Sequence, residues 1–204
     1  MATPLTETTT RRAGLIAGIG YVVLFFAAIF ANFLVLETYV VPGDAAETLA
    51  NLTANEATFR MGIVAFLLIF ALDVIVAWAL FIVFAPVARR LSLLAAWLRV
   101  VYTVMLGVAV VFLMAVAGII ASDSYASAFT AEQLESQVAL LLNAFDYAWM
   151  TGLAVFGLHL GVLGYLIVTA QIAPRLLGVV LIVAAWAYIV DTLLFTVMST
   201  YESY

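Results

Sequence analysis

Asp73, Arg99 and His159 are ionisable residues set well inside long apolar stretches, and Asp191 and Asn32 are polar residues in similar surroundings. Such a group is costly in hydrocarbon unless it finds a partner, so each is a candidate for ion pairing, ligand binding or proton handling. At 1.5 Å per helical residue, Arg99 stands roughly 13 Å, His159 roughly 17 Å, Asp73 roughly 18 Å and Asp191 roughly 24 Å from the same end of their stretches. Asp73, Arg99 and His159 are therefore predicted to meet, with the carboxylate and guanidinium offsetting each other's desolvation. Glu37, Arg60 and Asp146 form a second polar layer, roughly 35–37 Å from that reference, and Asn32 falls with Asp191 between the two layers.

Other chemistry is thinly provided. His159 is the only histidine and cysteine is absent, so a His-rich metal site and thiol nucleophiles are excluded, and no metal or cofactor is assigned. There is no H-E-x-x-H, phosphate-binding Gly-Lys loop or G-x-S-x-G, which leans the reading away from an enzyme. For His159 a hydrogen-bonded packing role stands beside proton transfer, since a free imidazole titrates near physiological pH. Seven Arg, no Lys and a net charge of −5 leave no basic surface for a nucleic-acid partner.

The elements that position these residues follow from composition. Hydrophobic residues make up 68% of the 204-residue chain and charged residues 9%, against about 25% charged in a soluble domain. The apolar runs exceed the roughly 18 residues that mark a bilayer span, and they lack the alternation of barrel strands. The prediction is one all-α domain, a polytopic transmembrane helix bundle of about five spans, near residues 14–36, 59–85, 91–121, 138–170 and 176–198. Residues 1–12 form a flexible N-terminus, and 37–58 an external loop with an interfacial helix that turns Leu49 and Leu52 to the membrane. The apolar stretch after Arg12 is too long for a secretion-signal core and lacks a cleavage site.

Orientation follows from Arg. Arg11, Arg12, Arg89, Arg90 and Arg175 fall at the N-terminus and in alternate loops, which the positive-inside rule assigns to the cytoplasm. The C-terminus, with Glu202, is then external, and the expected location is a prokaryotic plasma membrane.

At 100° per residue, Asp73 shares a face with Gly62, Phe66, Ile69, Ala77 and Leu80, and Asn32 shares one with Gly18, Tyr21, Phe25 and Ala28. Gly157, Gly161 and Gly164 line one face of the fourth span as a close-packing seam together with Asp146, and His159 points to the opposite side. Trp78, Trp97, Trp149 and Trp186 are read as interfacial or lipid-facing. The glycine and alanine faces and the poor catalytic inventory favour a non-catalytic membrane subunit or organiser, partnered by lipid and by a second copy or another membrane subunit. The alternative is a small-molecule or proton-handling bundle with a cavity lined by Asp73, Arg99, His159 and Asp191.

Several segments resemble a known family. They are Arg12-Ala13-Gly14-Leu15-Ile16-Ala17-Gly18, Val41-Pro42-Gly43-Asp44-Ala45, Phe59-Arg60-Met61-Gly62, Phe156-Gly157-Leu158-His159-Leu160, Leu163-Gly164-Tyr165-Leu166, Pro174-Arg175-Leu176-Leu177-Gly178 and Tyr188-Ile189-Val190-Asp191. Together, over about residues 11–198, the chain resembles the multi-pass prokaryotic membrane proteins of domain of unknown function 4386. That resemblance implies a helical membrane bundle and carries no activity, cofactor or ligand. It also implies one further apolar span in many relatives, whose place here would fall to lipid or to another subunit.

Overall fold

The computed structural model describes residues 4–198, and no strand occurs among them. Helix α1 (Pro4–Ala28) runs on through a π-helical segment (Ile29–Leu36) into the single turn α2 (Glu37–Tyr39). After the Gly43 turn, where φ is +78°, come α3 (Ala45–Ala54), α4 (Glu56–Ile120), α5 (Asp123–Ala128), α6 (Ala131–Ala170) and α7 (Arg175–Val197). Four of the described helical stretches, those containing α1, α4, α6 and α7, are long and apolar enough to cross a membrane.

Helix α4 is 65 residues long, about three bilayer thicknesses if straight. It is folded back on itself instead. Ala88 leaves helical geometry at φ −153° and ψ 85°, two residues after Pro86, which has no N–H to continue the ladder and crowds the preceding turn. Ser92 Oγ donates to Phe81 O at 2.9 Å across this bend, a contact that eleven residues of straight helix would hold roughly 16 Å apart. The two arms, residues 56–87 and 89–120, bring the membrane-length segments to five among the described residues. This is the expected helical membrane bundle. The C-terminal residues assigned to the external side, Glu202 included, lie outside the described residues.

The chain divides into two compact units, each drawn from non-contiguous segments. The first comprises α1 up to Val22, Leu72–Met105 and the described residues from Met150 to Met198. Here α1 packs through Ala13 and Ala17 on Ala79, while Phe84, Ala95, Leu163, Leu166 and Ile167 form an apolar cluster joining both arms of α4 to α6. The second unit comprises Val23–Ala71 and Leu106–Trp149. In it Phe66, Phe145 and Trp149 meet edge to face at centroid distances of 5.0–5.6 Å. Trp149 is thus a packing residue, whereas Trp78, Trp97 and Trp186 are exposed on the apolar surface.

Helix α3 forms within the expected loop, and Asp44 caps its start by accepting from Glu47 N at 2.8 Å, but Leu52, expected to turn to the membrane, is instead fully buried in the protein and Leu49 is half-buried. Thr48, also buried, hydrogen-bonds both the N–H and the C=O of Val41. That satisfies the polar backbone of the loop where it folds under the helix.

Candidate functional site

Arg99 organises the polar interior of the first unit. Its NH2 donates to Asp73 Oδ1 in a buried ion pair, and its NH1 donates to Tyr21 Oη at 2.8 Å. The same NH1 lies 3.4 Å from His159 Nε2. Asp73 and Arg99 are each 2% exposed and His159 is 0% exposed. The guanidinium carbon sits 5.0 Å from the Tyr21 ring centroid and 5.6 Å from that of Phe156, within the range of cation–π attraction on both.

One side chain therefore binds groups from α1, from the first arm of α4 and from α6. Arginine suits this position because its planar fork presents five N–H donors in fixed directions while its faces remain free for aromatic rings. The expected meeting of Asp73, Arg99 and His159 is what the geometry contains. Tyr21 and Phe156 were not singled out as site residues. Tyr21 carried a usable signal: counted from the start of the first predicted span it stands roughly 10 Å deep, close to the level of Arg99.

His159 Nδ1 lies 2.8 Å from Ala95 O. The histidine thus touches the backbone at Ala95 and the side chain of Arg99, one turn of the second arm. Phe156, one turn earlier on α6, stacks near the imidazole at 5.6 Å and meets the Tyr102 ring at 4.7 Å. Thr103 Oγ1 donates to Arg99 O at 2.8 Å, so its buried hydroxyl is satisfied within its own helix.

The remaining candidates stand elsewhere. Asn32 Nδ2 donates to Ala28 O at 3.1 Å inside the π-helical segment, so its amide serves its own backbone, and it is not among the hydrogen-bond partners of Arg99. Asp191 is half-buried on α7 and engaged in interactions of its own, and it too is not among those partners. Glu37, Arg60 and Asp146 are the residues of the second polar layer. Arg60 pairs with Glu56 at 2.7 Å and donates to Ala117 O at 3.1 Å, because a glutamate four residues earlier on the same helix is its nearest acceptor. Glu37 and Asp146 are exposed, the latter engaged.

The glycine seam of α6 is filled by α7. A Cβ at Gly157 would meet Ala185 O at 2.9 Å, one at Gly164 would meet Gly178 O at 2.6 Å, and Gly161 lies against Ala185. The imidazole faces the other way, toward the second arm of α4. Helix α6 is sandwiched, with a polar contact on one side and close backbone packing on the other. Among the described residues no group of three or more His, Asp or Glu is placed to hold a metal.

An uncharacterized protein of Archaeoglobus fulgidus is 32% identical over 132 residues, and the match spans 65% of this chain and 65% of that protein's length. No solved structure gives a significant match. The chain belongs to the family described as Domain of unknown function (DUF4386), which it matches across residues 16–203.

Proposed function

We propose that this protein is a non-catalytic subunit or organiser of a prokaryotic cell membrane, whose intramembrane charges serve cohesion of its own helices. The observation that carries the reading is the burial of Asp73, Arg99 and His159, at most 2% exposed and bonded to one another. A working transport or catalytic site needs a route by which substrate or water reaches its charges, and these are enclosed by Tyr21, Phe156 and the helix backbone. Gly157, Gly161 and Gly164 of α6 are occupied by α7, so a partner subunit would dock on another surface of the bundle.

One observation favours a second reading. Arg99 Nε is buried and without a hydrogen-bond partner, and the acceptor oxygen of a small molecule would satisfy it. Purification from the native host in lipid discs, followed by native mass spectrometry, separates the two. A stoichiometric protein partner, unchanged in Arg99→Lys, supports the subunit reading. A bound small molecule lost in that variant overturns it.

A further inference from the structure

We infer that His159 is held as the neutral Nδ1–H tautomer and acts as a hydrogen-bond acceptor that positions Arg99, with neither ring nitrogen left for a proton relay, a metal or a ligand. The inference deepens the cohesion reading of the same cluster. Ala95 O lies 2.8 Å from Nδ1, and a backbone carbonyl can only accept, so Nδ1 must carry the proton. In a neutral imidazole the lone pair then sits on Nε2. The group facing Nε2 is Arg99 NH1 at 3.4 Å, and a guanidinium can only donate. The long contact and the short one require the same tautomer, although the short one alone determines it.

The surroundings agree. The charged group against the ring is Arg99, and Asp73 from the first arm of α4 and Tyr21 from α1 share its guanidinium. Asp73 spends Oδ1 on Arg99, and Tyr21 Oη accepts from NH1 of the same guanidinium. Arg99 thus has three acceptors contributed by three other helical segments. His159 supplies the one on α6, and its Nδ1–H bond aims it. Because Ala95 and Arg99 are four residues apart, the imidazole spans one turn of the second arm and ties α6 to it at two points.

The chain has a single histidine, so a sample labelled with 15N in the imidazole ring reports this residue alone. In lipid discs at pH 7.5, wild type should give one protonated-type signal, assigned to Nδ1 by its carbon couplings, and one bare-type signal from Nε2. In Arg99→Lys the Nε2 signal should move while Nδ1 stays protonated. A ring protonated at Nε2, a doubly protonated ring or averaged tautomers in wild type would overturn the inference, as would an Nε2 signal indifferent to a folded Arg99→Lys. If Arg99→Lys fails to fold, the wild-type tautomer alone decides. The measurement is independent of the subunit reading, since a ligand can co-purify with this tautomer intact and a purely structural bundle can show another.

Discussion

At the scale of residues, the buried ion pair makes the most specific demand. Removing one member leaves the other charged and enclosed, which costs about 3–5 kcal/mol for pairs of this kind. Asp73→Asn and Arg99→Gln are each expected to lower thermal stability in detergent by that order, and the double variant to recover part of the loss. Purely additive losses would show that the two side chains act independently. Gln171 offers a contrast, because it ends α6 at φ 55°, a left-handed conformation that glycine adopts without strain. Gln171→Gly is expected to stabilise by about 0.5–1 kcal/mol, and a lower melting temperature in the variant would contradict that.

The residue scale is also where the sequence was most informative about the site. Depth along each apolar stretch brought Asp73, Arg99 and His159 to one level, and the structure joins them. Depth says nothing about angle. Asn32 was grouped with Tyr21 by a strict 100° period, but the π-helical segment interrupts that period from Ile29, and the amide turns to Ala28 O. Tyr21 is marked in the sequence by its depth alone and Phe156 by nothing, because aromatic residues are unremarkable in a membrane helix and the position of the guanidinium is what gives their rings a role.

At the scale of elements, α7 is held differently from the helices that share Arg99. Its contact with α6 runs through Gly157, Gly164 and Gly178, where an added Cβ would strike Ala185 O at 2.9 Å, Gly178 O at 2.6 Å and Gly164 O at 2.7 Å. Backbone atoms cannot swing aside as a side-chain end can. Gly164→Ala is expected to cost about 1–3 kcal/mol by overpacking. Gly18→Ala, with nothing within 4 Å of the new Cβ, should be neutral or stabilising by up to about 1 kcal/mol through helix propensity. Equal losses in the two variants would show that the seam is not what holds α7. The seam was legible from glycine spacing on α6, but its occupant was not, because spacing marks a close approach without naming the helix that makes it.

At the scale of the whole molecule, composition alone was enough for the fold class, since apolar runs of this length leave helices as the spanning element. The bend in α4 was legible as well, from Pro86 and the arginines after it. Which surface faces the cytoplasm is a proposal resting on the arginine distribution, and the lack of native cysteine makes it directly measurable. With a membrane-impermeant maleimide on intact cells, Ser127→Cys is expected to label and Ile172→Cys to label only after permeabilisation. The reverse pattern would invert the topology.

The bend at Ala88 has a consequence for biogenesis. A segment carrying Asp73 and a segment carrying Arg99 would each meet a penalty of about 2.5–3.5 kcal/mol for its charge if it partitioned into the bilayer alone. With no loop between the arms beyond a single non-helical residue, both charges belong to one hairpin, and each is matched by the other as it leaves the translocon. The two arms are therefore expected to enter the membrane as one insertion unit. Lengthening the connection at Ala88 with a flexible linker should delay or misorient the second arm even when every contact in the finished bundle is preserved.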